Sequence, residues 1–213
     1  MDIKRFGLIC VIFILNGCAA GTRNIELNSP SYSNEVSASG NIIIGNIQDK
    51  RVFEAAPKSP STPSVDGDLA KTSKETLSTL IGRQRNGYGM AMGDIVLPNG
   101  DTVQEVTRKL LTTALESRGY NVVDNKTDAY NLTVDVNKFW AWFSPGMFSV
   151  SFEADIQCTV HFDNGTTKRS LDVSGYGVNK GQVASNANWQ LAYERAFQDL
   201  LKNLDKILDS EGL

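Results

Sequence analysis

The chain of 213 residues contains three cysteines, one histidine and no apolar run long enough to cross a bilayer. Each scarcity removes a class of protein. Cys10, Cys18 and Cys158 are too few for a disulfide-stapled scaffold, so a hydrophobic core must hold the fold. One histidine and so few thiols do not supply the roughly four ligands of a zinc site. A nucleophile needs a base within hydrogen-bond reach. Cys158 stands three positions from His161, which puts the two on opposite faces of any strand that carries both. The longest apolar run, Phe6 to Leu15 (FGLICVIFIL), is about half of the roughly twenty residues a membrane-spanning helix requires. A basic excess is also missing: 21 Lys and Arg stand against 24 Asp and Glu, for a formal charge of −3. That balance argues against a nucleic-acid partner.

The N-terminus is what the sequence does have. Lys4 and Arg5 precede the apolar run, and Leu15-Asn16-Gly17-Cys18 closes it. A short charged region followed by a short greasy one is the form of an export signal. Its end resembles a lipobox, the recognition sequence of bacterial lipoprotein signal peptides, with Asn16 a departure from the small or apolar residues usual there. The resemblance implies a signal peptide over residues 1–17, cleavage before Cys18, and acyl chains (palmitate among the expected ones) on that cysteine. One acyl chain holds a protein weakly and several hold it firmly, at about 0.8 kcal/mol per buried CH₂. Ala19 after the cysteine implies sorting to the outer membrane, facing the periplasm.

Residues 18–40 are rich in Ser, Asn, Gly and Thr, without apolar periodicity, and read as a flexible tether. A single domain is expected over residues 41–213. Asn41 to Ile47 is an apolar, β-branched strand. Val52 to Gly67, with Pro57, Pro60 and Pro63, reads as loop. Asp68 to Ile81 holds a weak helical pattern, Gly82 to Gly93 is glycine-rich and irregular, and Pro98-Asn99-Gly100 is a turn. Thr102-Val-Gln-Glu105 fits a capping box. It opens a helix with Val103, Val106, Leu110, Ala114 and Leu115 on one side and Gly119 as its stop. Tyr130 to Trp142 and Phe148 to Phe162 alternate as strands. Asp163 to Thr166 is a hairpin turn, and Thr167 to Val178 is the returning strand. Trp189, Ala192, Ala196, Leu200, Leu204 and Ile207 line a final helix over 186–208. The expected fold class is α+β: a mostly antiparallel sheet with two principal helices packed on one face.

The chain resembles the YajG-like family of bacterial lipoproteins. The residues that carry the resemblance are the lipobox, IQDKR (47–51), LIG (80–82), TRKLLTTALESRGYNVV (107–123) and AYNLTVDVNKFW (129–140). It implies an envelope-attached lipoprotein without an assigned reaction.

Several groups are candidates for function. Glu153 and Asp155 share a strand face, with Asp135 opposite, in a pattern that serves acid–base chemistry in a cleft and stands solvated on an open face. Arg83 and Arg85, in the glycine-rich stretch, suit an anion or partner contact. Asp49 and Arg51 suit a structural ion pair at the end of a strand. The aromatic turn Phe139, Trp140, Trp142, Phe143 and Met147 is either a mini-core under residues 82–97 or an exposed docking patch. Strand parity places Trp140 and Trp142 on the core side and Phe139 and Phe143 on the wet side. No cofactor or metal is implied. The reading is a non-enzymatic adaptor or accessory subunit of an envelope assembly, with membrane and protein partners. The alternative is a ligand-binding module for a glycan or lipid fragment at residues 139–148.

Overall fold

A computed structural model describes residues 21–33, 38–65, 67–86, 88–125, 129–146, 149–163 and 165–212. Its strands are β1 (Arg23–Asn24), β2 (Asn41–Asp49), β3 (Leu80–Arg85), β4 (Ala91–Val96), β5 (Asn121–Val122), β6 (Ala129–Pro145), β7 (Val150–Asp163) and β8 (Lys168–Gly181). The helices are α1 (Lys74–Thr79), α2 (Val103–Ser117) and α3 (Asn186–Glu211).

These strands form one mixed sheet, which corrects the expectation of a mostly antiparallel one. Of the seven pairings among the described residues, four are parallel: β1 with β4, β2 with β5, and both β2 and β3 with β6. The antiparallel pairs are β3–β4, β6–β7 and β7–β8. Among the described residues the α-helices are three, not two. The parallel pairs arise because β2 and β3 lie end to end along the same edge of β6. Residues 41–49 pair with 129–136, and Gly82 and Arg83 pair with Ala141 and Trp142. Returning to that edge in the same direction requires a crossover.

Arg51 fills the seam between the two short strands. Its side chain is fully buried and ion-paired with Asp49 at 2.7 Å. Nη1 donates to the carbonyls of Leu80 (2.6 Å) and Phe139 (3.1 Å), and Nη2 to that of Leu77 (2.6 Å). The β6 edge between its two neighbours thus finds a donor in a side chain where no strand passes.

α2 begins with the expected capping box, Thr102 and Glu105 each bonding the other's backbone. It ends before Gly119 at φ +97°. Its buried side, with that of α3, joins the inward residues of β6 and β7 in one core. The alternation of β7 is as read: Phe152, Ala154, Ile156, Cys158, Val160 and Phe162 are buried.

β6 departs from its expected parity. The β6–β7 register slips between Val136 and Lys138, so Asn137 is a bulge. An extra residue moves every later side chain to the other face. Phe139 therefore stacks on Tyr193 of α3 at 5.2 Å, and Phe143 meets Trp189 edge-on at 6.4 Å. Trp140 and Trp142 turn to the opposite face, the reverse of the sequence assignment. There they form a second, smaller core with Val65 and Leu80, flanked by Phe53, Leu69 and Leu77. The Trp140 indole N–H donates to the carbonyl of Pro60 at 3.1 Å. The proline-containing segment is the cover of this core.

The stretch read as tether is in part laid against the domain. The Gly21 N–H bonds the Met92 carbonyl at 2.9 Å, β1 pairs with β4, and Ile25 is fully buried. Tyr32 donates to Asp205, which is also held by buried Arg118 at 3.0 Å. Burial and that bond to Asp205 push the Tyr32 hydroxyl up to about 12.

Gly175 and Gly177 set how closely α3 approaches β8. A Cβ on either would fall 2.2 Å from a carbonyl of α3, of Ala196 and Ala192 respectively. From that distance α3 side chains reach the outer edge of β8. Asp199 accepts from the Tyr176 N–H (3.0 Å), Asn203 donates to Ser174 O (2.9 Å), and Arg195 donates to Val178 O. The long edge strand is covered, as edges exposed to other chains need to be.

Replacing Arg51 by Met is expected to cost about 3–5 kcal/mol, the usual price of stranding a buried ion-pair partner. Arg51→Lys should recover only part, because an ammonium lacks the guanidinium's planar fork. Urea denaturation of the variants checks both, and wild-type stability for Arg51→Met refutes the seam's importance.

Candidate functional site

The face of β6, β7 and β8 turned away from the two long helices is polar and open. Its side chains are linked along the strands. Asp135 accepts from Lys50 (2.7 Å) and pairs with His161 Nε2 (3.1 Å), whose Nδ1 lies 2.7 Å from Ser170 Oγ. Asn137 donates to Thr159 Oγ1 at 2.8 Å, and Thr159 to Asp172 at 2.7 Å. Asp155 is paired with Lys138 at 2.8 Å and accepts from Gln157 at 3.0 Å. Glu153 accepts from Ser144 (2.8 Å) and from the Tyr176 hydroxyl. At the end next to β3 the face becomes aromatic. Tyr176, 47% exposed, lies 6.4 Å from the Trp142 ring, and Lys138 Nζ sits 5.5 Å from that ring's centre.

Electrostatics follow from these contacts. Burial acts to raise the Asp135 carboxyl, but hydrogen bonds from Lys50 and His161 outweigh it and hold the group below the usual carboxylate range. Burial first, then the Glu153 carboxylate, push the Tyr176 hydroxyl well above the usual phenol value. Cys158 faces the core, and burial raises its thiol to about 12. His161 is on the opposite face, so the two do not meet. Among the described residues no group of three His, Cys, Asp or Glu is placed to hold a metal ion.

A cleft of about 590 Å³ opens beside this face, between residues 56–60, the β3–β4 hairpin and the end of β6. Arg85, Tyr88, Lys58, Phe143 and Ser144 line it. Of the sequence candidates, the cleft thus gathers Arg85 and Phe143. Arg85 is tied to Ser64 Oγ (2.9 Å) and Gly89 O (3.1 Å). Burial, then neighbouring Arg83, lower its guanidinium. Arg83 itself is 3% exposed and ion-paired with Asp94 at 2.7 Å. Phe139 and Trp140 are fully buried and Trp142 is 7% exposed, so these three are core residues rather than an open patch. Cys18 and Met147 lie outside the described residues. The sequence reading missed Tyr176, whose signal was its setting between Gly175 and Gly177, and missed Tyr88 and Lys58, which carry no periodic pattern.

The lipoprotein family model described as "uncharacterized lipoprotein" matches residues 90–206, from the hairpin through most of α3. The chain belongs to this family, the YajG family anticipated from its short motifs. Membership points to attachment to a membrane through lipid. A comparison with curated proteins gives no match. Among solved structures, the chain is similar to protein XCC0632 of Xanthomonas campestris, from the DUF330 family, at 13% identity and a TM-score of 0.46. That match covers 89% of this chain and 99% of the other. It is also similar to a putative neuraminyllactose-binding hemagglutinin homolog of Helicobacter pylori, at 12% identity and a TM-score of 0.37. There the match covers 84% and 91% of the two chains.

Two outcomes follow from this geometry. In the folded, acylated protein Cys158 should resist thiol reagents at pH 8 and react fully in denaturant; rapid labelling of the native protein contradicts its placement. Asp135, with its folded pKa depressed, adds stability above the ordinary carboxylate pKa and loses it as pH falls through the lowered value. Asp135→Asn should therefore flatten the acid limb of a stability–pH profile.

Proposed function

We propose that the chain is a non-enzymatic, outer-membrane lipoprotein, anchored through Cys18 and facing the periplasm, that serves as an adaptor or accessory subunit of an envelope assembly. The observation that carries this reading is the contrast between the two surfaces a sheet offers a partner. The outer edge of β8 is occupied by α3 side chains, so strand addition is blocked there. The face of the same strands is open, wide and hydrogen-bonded into a fixed pattern, with exposed Tyr176 at its aromatic end, set against the buried Trp142 ring. Tyrosine on a rigid, pre-ordered polar surface is a low-entropy anchor for a protein partner. The non-enzymatic part of the reading draws on the pairing of Asp135, Glu153 and Asp155 and on the separation of Cys158 from His161. The periplasmic outer-membrane assignment draws on Ala19 after the lipobox.

The test is photocrosslinking in cells from position 176, with position 168 as comparison, joined to a Tyr176→Ala variant. A partner captured from 176 and not from 168, together with loss of function in Tyr176→Ala, supports docking at this face. Equal capture from both positions, or full function of Tyr176→Ala where deletion has a phenotype, refutes it.

The 590 Å³ cleft favours a second reading, a binding site for a glycan or lipid fragment between Lys58, Arg85 and Phe143. A ligand at a hundred times its Kd stabilises a two-state domain by about 2.7 kcal/mol. A saturable rise in Tm with an envelope fragment, abolished by Phe143→Ala, supports this second reading.

A further inference from the structure

The docking of β1 decides which end of the domain meets the membrane. Arg23 and Asn24 pair in parallel with Ile95 and Val96, and the Gly21 N–H bonds Met92 O. Following the chain backwards from Asn24 therefore means moving along β4 towards the tip of the β3–β4 hairpin. Cys18 lies three positions before Gly21, a reach of about 11 Å even when fully extended. From Met92 to Met90 along the strand is about 7 Å. A lipid on Cys18 is thus confined to the neighbourhood of the hairpin tip, where a free tether of 23 residues would have let the domain take any orientation.

The side chains at this end suit a bilayer surface. Tyr88 is 92% exposed and Met90 61% exposed. Val183, also exposed, follows β8 at the same end of the sheet, where Gly181 pairs with Val150. Residues 82–93 contain no acidic side chain. Lys58 and Arg85 line the adjoining cleft, which gives a chain of net negative charge a locally basic rim. A tyrosine with apolar neighbours and a basic rim is the side-chain set of a membrane–water interface, where aromatic rings sit at headgroup level and cations meet phosphates.

We propose that Tyr88 and Met90, at the tip of the β3–β4 hairpin, rest in the interfacial layer of the bilayer that holds the Cys18 lipid. The acyl anchor and the hairpin together form a two-point mooring. It sets the sheet axis away from the membrane and carries the β7–β8 turn to the far end, since β7 spans fourteen residues at about 3.4 Å each. This inference rests on acylation of Cys18.

The experiment uses the full acylated protein in phosphatidylethanolamine–phosphatidylglycerol vesicles containing doxyl-labelled lipid. An environment-sensitive fluorophore is placed at Met90→Cys, at Tyr88→Cys, or at Lys168→Cys, which starts β8 beside the far end of β7. All three side chains are exposed, so labelling leaves the core untouched. Flotation with the vesicles reports the anchor separately from the hairpin. The expected result is flotation of all three, with a blue shift and loss of fluorescence at 88 and 90 and neither at 168. Floating protein whose signals at 88 and 90 match the one at 168 overturns the hairpin contact while the anchor stands. Failure to float, with an unmodified Cys18 by mass spectrometry, overturns the anchor and the proposal with it.

Discussion

One guanidinium decides how this sheet is put together. β6 needs partners along an edge of seventeen residues, and the chain supplies two short strands in place of one long one. Where they fail to meet, backbone carbonyls of β6 and β3 would be buried without donors. Arg51 supplies donors to Leu80, Phe139 and Leu77 at once and keeps its charge balanced by Asp49. Its guanidinium also lies over the Phe53 ring, 5.0 Å from the centroid, and Phe53 meets Trp140 edge-on. The same residue therefore ties the sheet to the small core beneath residues 53–77. A lysine has too few donors in too loose an arrangement for this position, and an apolar residue would strand the carbonyls.

What was legible in the sequence was whatever depends on local pattern. The capping box of α2, the apolar stripe of α3 and the strict alternation of β7 each follow from the chain's own periodicity, and each was read with nearly its observed residues. The pairing of β2 and β3 with β6 was not legible, because strand order is decided by tertiary contact. The only local hint was the unalternating Ile42-Ile43-Ile44, which suits a strand covered on both faces. The tether was misjudged for a related reason. Ile25, Leu27 and Tyr32 are spaced without a period, and what docks them is the distant pair of β4 and Asp205.

The candidate site was legible in outline and wrong in parity. Asp135, Glu153, Asp155 and His161 fall on the open face as alternation required. The aromatic residues that follow Asn137 do not, because one bulged residue exchanges the two faces, and a single sequence carries no mark of a bulge at an ordinary asparagine. The exchange decides which aromatics each core receives. It sends Phe139 to α3 and puts Trp140 and Trp142 in the small core on the other side of the sheet, where the Trp142 ring lies against Tyr176. Without it the tryptophans would lie beneath the helices and Phe139 and Phe143 would take their place on the other face.

The covering of β8 by α3 has a temporal consequence. α3 follows β8 in the chain, so any machinery that handles the chain from the N-terminus releases it after β8. Until it arrives, Ser174, Tyr176 and Val178 present a bare strand, and the glycines beside them offer no bulk to fend off a neighbour. The interval between β8 joining the sheet and α3 closing over it is therefore when this protein is most exposed to other chains. On a membrane surface, where copies share two dimensions, a C-terminal truncation that removes the helix would make that interval permanent.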